Sequence, residues 1–170
     1  MTVVRPASDA DLPAVLALRE EARRWLSARG SDQWSQAWPD PDTMASTIAD
    51  GINRGETWCV DGDDGSVIAT LTVNRSAYPG LWTEAEQCQP ALYVHRLIVA
   101  RSMAHKGLGA ELLDKVAQYA RKQGVEFVRV DVWATNTALH RYYRQHGFRH
   151  VRTVDLPGYP SSAVFERSTN

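Results

Sequence analysis

The chain has two cysteines, Cys59 and Cys88, far apart and in no CxxC pair. That excludes a disulfide framework and offers no cysteine-based zinc site. The five histidines do not replace them. His140 and His146 stand six residues apart, about 240° around a helix, so they face different ways, and no metal is expected. Nowhere do about 18 apolar residues run together, and "MTVVRPASDADLPAVL" lacks the basic segment, apolar core and small-residue cleavage site of a targeting peptide. A cytoplasmic protein with no membrane partner is expected. Charge of either sign is not in excess: a formal net charge of −1 gives no global footprint for nucleic acid, although a local basic patch around an anionic ligand is compatible with it. There is no internal repeat, low-complexity tract or long linker. With 44% hydrophobic and 23% charged residues, the 170 residues suit a single folded domain over 1–170.

What is present is an alternation of strand-like and helical patterns. "TVVRPA" reads as a first strand. The helix that follows has Ser8 as N-cap, Asp11 three residues later, Gly30 as stop, and Leu12, Val15, Leu16, Leu18, Trp25 and Leu26 as its apolar stripe. "DPDTMASTIADGINRG" reads as a second helix capped by Asp42, and "ETWCVDGDDGSVIATLTV" as a hairpin whose Cys59 is buried in a strand. A long loop, "NRSAYPGLWTEAEQCQP", leads to "ALYVHRLIV", a β-branched and aromatic run suited to a central strand. A third helix follows to Gln123, with Leu112, Leu113, Val116, Ala117 and Ala120 on its buried face. "VEFVRVDVWA" is another strand, "TNTALHRYYRQHG" a short helix closing on Gly147, and "FRHVRTVDL" and "SAVFERS" are two strands around a "PGYP" turn. The order β α α β β β α β α β β implies an α/β chain with one mixed sheet covered by helices. The two strands that flank the third helix must run parallel, because a crossover helix joins them.

Between the central strand and the third helix lies "HKGLGAE", with Gly107 and Gly109 one residue apart. Glycines at such a junction permit torsions closed to other residues and let a ligand approach the main chain. The N–H groups that begin the helix form an anion site aided by the helix dipole. Phosphate and a plain tight turn are equally good readings of the loop alone. Of two nucleotide loops, the NTPase loop fails and the dinucleotide fingerprint fits poorly. The NTPase pattern needs lysine after its second glycine, whereas Lys106 precedes Gly107, and a dinucleotide fingerprint would need glycine where Leu112 stands.

"AHKGLGAELL" resembles the hallmark of the GNAT superfamily of N-acyltransferases, which use acetyl-CoA: Gln or Arg, then xxGxG or xxGxA, between a strand and a helix. Gly107 and Gly109 match, while Ala104 stands where the family carries Gln or Arg, so Lys106 or Arg101 would have to supply the positive charge. About thirty residues on, "NTALHRYYRQHGF" supplies Asn136, Tyr143, Gly147 and Phe148 at the spacing of the family's second motif. The resemblance extends to the order of elements along the chain and implies the GNAT fold. It also implies acetyl-CoA as cofactor, an amine acceptor as partner, and a homodimer by analogy.

It further implies roles for individual residues. Main-chain groups around Leu97, Ile98 and Val99 would hold the pantetheine arm, and the loop formed by Ala104, His105, Lys106, Gly107, Leu108, Gly109 and Ala110 would cradle the pyrophosphate. Tyr143 would face the CoA sulfur as general acid or hydrogen-bond donor, with Tyr142 beside it; counting back four residues from Gly147 selects Tyr143. Asn136 would cap its helix, meet the pantetheine, or both. His95 is the candidate base, since an imidazole suits an ammonium proton at neutral pH, with Tyr93 on the same strand face and Glu111 as a further candidate. Trp25, Trp34 and Trp38 are candidates for an aromatic wall around the acceptor, and Asp32 for a partner of its amine. A small-molecule primary amine is therefore the expected acceptor. A protein N-terminus or lysine side chain is the alternative within the family, and a non-catalytic acyl-CoA sensor the alternative outside it.

Overall fold

The structure, a computed structural model, describes residues 2–35 and 40–170. Its strands are β1 (Val4–Pro6), β2 (Thr57–Asp61), β3 (Val67–Asn74), β4 (Ala91–Val99), β5 (Phe127–Val132), β6 (Arg149–Thr153) and β7 (Ala163–Ser168). Its helices are α1 (Leu12–Ala28), α2 (Pro41–Asn53), α3 (Glu84–Gln87), α4 (Leu108–Lys122) and α5 (Thr137–Gln145). The seven strands form one mixed sheet in the order β1-β2-β3-β4-β5-β7-β6. β4 and β5 pair in parallel and the β1/β2, β2/β3, β5/β7 and β6/β7 pairs are antiparallel, as the crossover through α4 requires. No described helix is long and apolar enough to cross a membrane.

The chain divides into two compact units, Met1–Val73 with Arg96–Gly109, and Asn74–His95 with Ala110–Asn170. In the first, Val15, Met44, Ile48, Ile52 and Cys59 form one core cluster, and Leu18, Ile98 and Ala100 another. Ser8 and Asp11 make the expected capping box, but over a short 3-10 turn, Asp9–Asp11, that precedes α1. The cap of α2 is Asp40 rather than Asp42. Pro41 takes the first helical position, where its missing N–H costs nothing, so the residue before it does the capping. Asp40 accepts from the Thr43 amide at 3.0 Å and from the Thr43 hydroxyl at 2.6 Å.

In the second unit, Leu81, Trp82, Ala91, Tyr93 and Val164 form the core cluster. The stretch expected to be a plain loop contains α3, nucleated by a capping box between Thr83 and Glu86. Leu112, Leu113, Val116, Ala117 and Ala120 of α4 are all buried, as their spacing predicts. Arg129 of β5 is wholly buried. Its guanidinium donates to Glu166 at 3.1 Å, to the Glu86 carbonyl at 2.7 Å, to the Tyr93 hydroxyl at 3.1 Å and to the Gln89 side chain at 2.5 Å, and it lies 4.5 Å from the Trp82 ring centroid. A buried cation persists only when so fully partnered.

Candidate active site

β4 is regular in its ladder with β5 from Ala91 to Val94, opposite Phe127 to Val130. Two residues further on, Arg96 takes φ +51°, a left-handed torsion in mid-strand that interrupts the pleat. Ile98 beyond it is buried among Leu18 and Ala100, whereas Leu97 and Val99 are half-buried. The chain then passes through a 3-10 turn, Arg101–Met103, to Ala104, which is extended at φ −60° and ψ 146°. His105, Lys106 and Gly107 are exposed in succession, with φ +62° at His105 and φ +80° at Gly107. α4 begins at the next residue. A β-carbon at Gly107 would meet nothing within 4 Å, so the requirement for glycine there is torsional and the surface over it is open. Gly109 lies inside the first turn of α4, and the expectation that both glycines serve special torsions is corrected to Gly107 alone.

The first four N–H groups of α4 have no partner within the helix. Lys106, whose ammonium touches the Met103 sulfur at 3.8 Å, and Arg101 bring positive charge to the same loop. An exposed turn with left-handed torsions, a helix N-terminus and two cations fits a pyrophosphate.

α5 carries the second motif. Asn136 is its N-cap and accepts from the Leu139 amide at 3.0 Å. The helix ends in a Schellman motif. The Phe148 amide donates to the Tyr143 carbonyl at 3.0 Å and the Gly147 amide to the Arg144 carbonyl at 3.3 Å, while Gly147 takes φ +84°. That turn folds the Phe148 ring back onto Tyr143, with centroids 5.4 Å apart, which is why tyrosine, glycine and phenylalanine occur at this spacing. Tyr143 is buried, its ring also facing Tyr142 and Phe165. Its hydroxyl makes no hydrogen bond to a described residue. It is not sealed in, since every fully enclosed side-chain polar atom among the described residues has a partner. Burial pushes the Tyr143 phenol well above its ordinary range, helped by the negative charge that Tyr142 and Asp131 can carry, so it holds its proton at any physiological pH.

His95 and Asp131 belong to the same unit as Tyr143. The His95 Nδ1 lies 3.6 Å from the Asp131 Oδ1 and its Nε2 lies 3.2 Å from the Asn74 Oδ1. Asp131 accepts on its other oxygen from the Tyr159 hydroxyl at 2.5 Å.

The sequence profile of the acetyltransferase (GNAT) family matches residues 18–148. Among curated proteins the chain is 30% identical over 161 residues to the uncharacterized N-acetyltransferase YesJ of Bacillus subtilis strain 168, covering 91% of this chain and 84% of that protein. The chain belongs to the GNAT acetyltransferase family. In three dimensions it is similar to a GNAT-family acetyltransferase of Listeria monocytogenes 4b F2365, with a TM-score of 0.80 at 22% identity over 98% of this chain and 94% of the other. It is also similar to PaiA N-acetyltransferase of Thermoplasma acidophilum, solved with coenzyme A, with a TM-score of 0.74 at 18% identity over 99% of each chain. The mixed sheet with flanking helices is thus the GNAT fold.

Several residues that the GNAT resemblance offered as candidates are placed otherwise. Trp25 lies with the Arg101 guanidinium carbon 3.7 Å and that of Arg29 4.8 Å from its ring centroid, and Trp34 has Arg19 at 4.9 Å. The cation that each of these rings attracts is the protein's own: Arg19 lies on α1, Arg29 caps it, and Arg101 comes from the 3-10 turn after β4. Trp38 lies outside the described residues. Asp32 is exposed and its carbonyl accepts from the Ser35 amide at 3.0 Å. Tyr93 is buried in the core with its hydroxyl committed to Arg129, which corrects its expected place beside the acceptor. Glu111 pairs with Lys115 at 3.7 Å along the surface of α4.

Asp131, Asn74 and Tyr159 were not among the candidates. The signal for Asp131 was an acid inside the β-rich run "FVRVDV", where burial demands a partner; Asn74 ends β3 and Tyr159 follows the turn at 157–158, and neither carried one.

Proposed function

We propose that this GNAT-family chain is a single-domain N-acetyltransferase that moves the acetyl group of acetyl-CoA to a primary amine of a small molecule, by direct attack in a ternary complex. The observation that carries this reading is the exposed turn at residues 105–107. Its left-handed torsions at His105 and Gly107 open the main chain at the start of the 15-residue helix α4. Acetyl-CoA supplies the acetyl group already activated as a thioester.

The chain's own residues do the rest. Main-chain groups of Leu97, Ile98 and Val99, just past the break at Arg96, bind the pantetheine arm. Ala104, His105, Lys106, Leu108 and Ala110 frame the pyrophosphate seat around Gly107 and Gly109, and Asn136 fixes the start of the helix that bears Tyr143. His95 accepts the proton of the ammonium group, which leaves the amine free to attack. Tyr143 donates a hydrogen bond to the departing sulfur. Its raised pKa favours that role over complete proton transfer, because an ordinary thiol titrates near 8.5, well below the phenol.

The test is turnover of acetyl-CoA, followed as released thiol, against a panel of small amines and of peptides with free N-termini or lysines. Turnover with small amines is the expected result. Turnover with peptides alone makes the chain a protein acetyltransferase, and coenzyme A binding without turnover on any amine makes it a sensor.

A further inference from the structure

The strand β5 is rich in valine, yet its Asp131 carboxylate is only 8% exposed and engaged on both oxygens. Oδ2 accepts from the Tyr159 hydroxyl, and Oδ1 faces His95 Nδ1 at 3.6 Å, an ion-pair distance rather than a hydrogen bond. Tyr159 comes from the "PGYP" turn and is fixed by stacking on Tyr78, with centroids 3.6 Å apart and planes at 16°. On the other side of the imidazole, Nε2 lies 3.2 Å from Asn74 Oδ1. The identity of that oxygen is set independently: it accepts from the Ser76 backbone N–H at 3.0 Å, which an amide nitrogen could not do. Nε2 is therefore the donor. A neutral ring carries its proton there, and Nδ1 is the basic nitrogen.

We propose that Asn74 and Asp131 are positioning residues for His95: Asn74 holds the imidazole as its Nε2–H tautomer, and Asp131 stabilises the proton that arrives at Nδ1. The proposal rests on His95 as the base of the acetyl transfer. An N–H bond of the ammonium breaks with its electron pair staying on nitrogen, and the proton bonds to Nδ1 directly or through one water. The amine then forms the bond to the acetyl carbon, the carbon–sulfur pair leaves on sulfur beside the Tyr143 hydroxyl, the second N–H proton of the acylated nitrogen passes through water to that thiolate, and the imidazolium returns its proton to solvent.

Asp131 faces the ring, Tyr159 donates to that carboxylate's second oxygen, and the same negative charge disfavours ionisation of Tyr143. The guanidinium of Arg96 reaches the Thr72 hydroxyl at 3.4 Å. One carboxylate thus favours the protonated form of both the base and the phenol, which couples the two ends of the reaction.

The test is a nitrogen-15 NMR titration of the histidine rings in the full chain, which needs no substrate, alongside the pH–rate profile on whichever amine turns over. The neutral His95 ring should show the Nε2–H tautomer. In Asp131→Asn its titration midpoint should fall by about one pH unit, and the acid limb of kcat/KM should move to lower pH by the same amount with KM unchanged. In Asn74→Asp, a second carboxylate at Nε2 should raise the midpoint, which keeps the proposal testable where Asp131→Asn does not fold. An Nδ1–H tautomer, or a midpoint indifferent to both folded variants, overturns it. So does a raised KM with an unmoved acid limb, which would make Asp131 an amine-binding group. Because the titration reads the ring without turnover, absence of acetyl transfer would sink the functional reading while leaving this one standing or falling on its own result.

Discussion

Tyr143→Phe separates a catalytic from a packing role for this tyrosine. The ring is clamped by Phe148 at 5.4 Å and Phe165 at 6.1 Å between centroids, contacts that phenylalanine reproduces. The hydroxyl makes no hydrogen bond within the described protein, so its removal strands no buried partner, and the stability change in urea should stay below about 1 kcal/mol. In the proposed reaction, however, it faces a sulfur acquiring negative charge. A hydrogen bond to a charged group is worth about 1.5–3 kcal/mol, which converts to a fall in kcat of roughly 10- to 150-fold. Affinity for coenzyme A, measured by calorimetry, should change less than about threefold, since a neutral ground-state thioester gains little from the donor.

The phenol's pH behaviour follows from its burial. Its pKa is raised because the buried anion is disfavoured. The proton therefore stays on through the ordinary tyrosine range near 10, and no basic limb below that pH should come from Tyr143. The same shift makes folding stability full below pH 10 and declining as pH rises beyond it, because the unfolded phenol ionises first. An unchanged kcat in Tyr143→Phe would remove the residue from the chemistry. A fall in kcat matched by a stability loss of several kcal/mol would make its role structural.

Gly107→Ala should cost about 1–2 kcal/mol of stability in urea, from the φ of +80° rather than from any clash, and should weaken coenzyme A binding; an alanine variant as stable as the parent would refute the torsional argument. Glu166→Gln leaves the wholly buried Arg129 without its carboxylate and should cost about 3–5 kcal/mol, whereas pairing it with Arg129→Met should recover much of that loss in a double-mutant cycle; additive losses would deny the coupling. Glu86, held at about 2 by hydrogen bonds from Arg152 and the Thr83 amide, stabilises the fold above its ordinary value near 4.5 and loses that contribution as pH falls toward 2. Glu86→Gln should flatten the stability profile between those two pH values, and a profile of unchanged slope would count against it.

Much of this was legible in the sequence because it rests on local rules. The five apolar positions of α4 follow a helical period, so their burial could be read directly, and Gly147 with Phe148 announces a helix stop that also packs Tyr143. The parallel pairing of β4 and β5 follows from a crossover helix. What was not legible depends on partners distant in sequence. Trp25 looks like part of a waiting aromatic wall until Arg101, from the turn after β4, is found over its ring. Tyr93 alternates correctly with His95, but nothing in a strand pattern reveals a buried arginine 36 residues away that claims its hydroxyl. Asp131 and Asn74 reach His95 from two other elements and across separations that no short motif records.

Arg96 shows the limit of periodic reading within a single strand. Alternation treats "ALYVHRLIV" as one pleat, yet a non-glycine residue at φ +51° breaks the pleat after His95. Such a torsion is unfavourable for arginine and persists only where surrounding structure enforces it. Here the guanidinium reaches Thr72, which shares a 3.0 Å hydroxyl contact with Thr57. A β-carbon at Gly51 of α2 would approach the Thr57 hydroxyl to 2.8 Å and an Arg96 nitrogen to 3.7 Å, so α2 lies over this cluster with no room for a side chain. The break is thus built from residues of α2, β2 and β3 as well as β4. It divides β4 into a first part, Ala91 to Val94, that pairs with β5, and a second part, Leu97 to Val99, whose main chain is released from that ladder. A regular strand would have continued that ladder; the role proposed for the Leu97 to Val99 main chain, holding the pantetheine arm, depends on the break at Arg96.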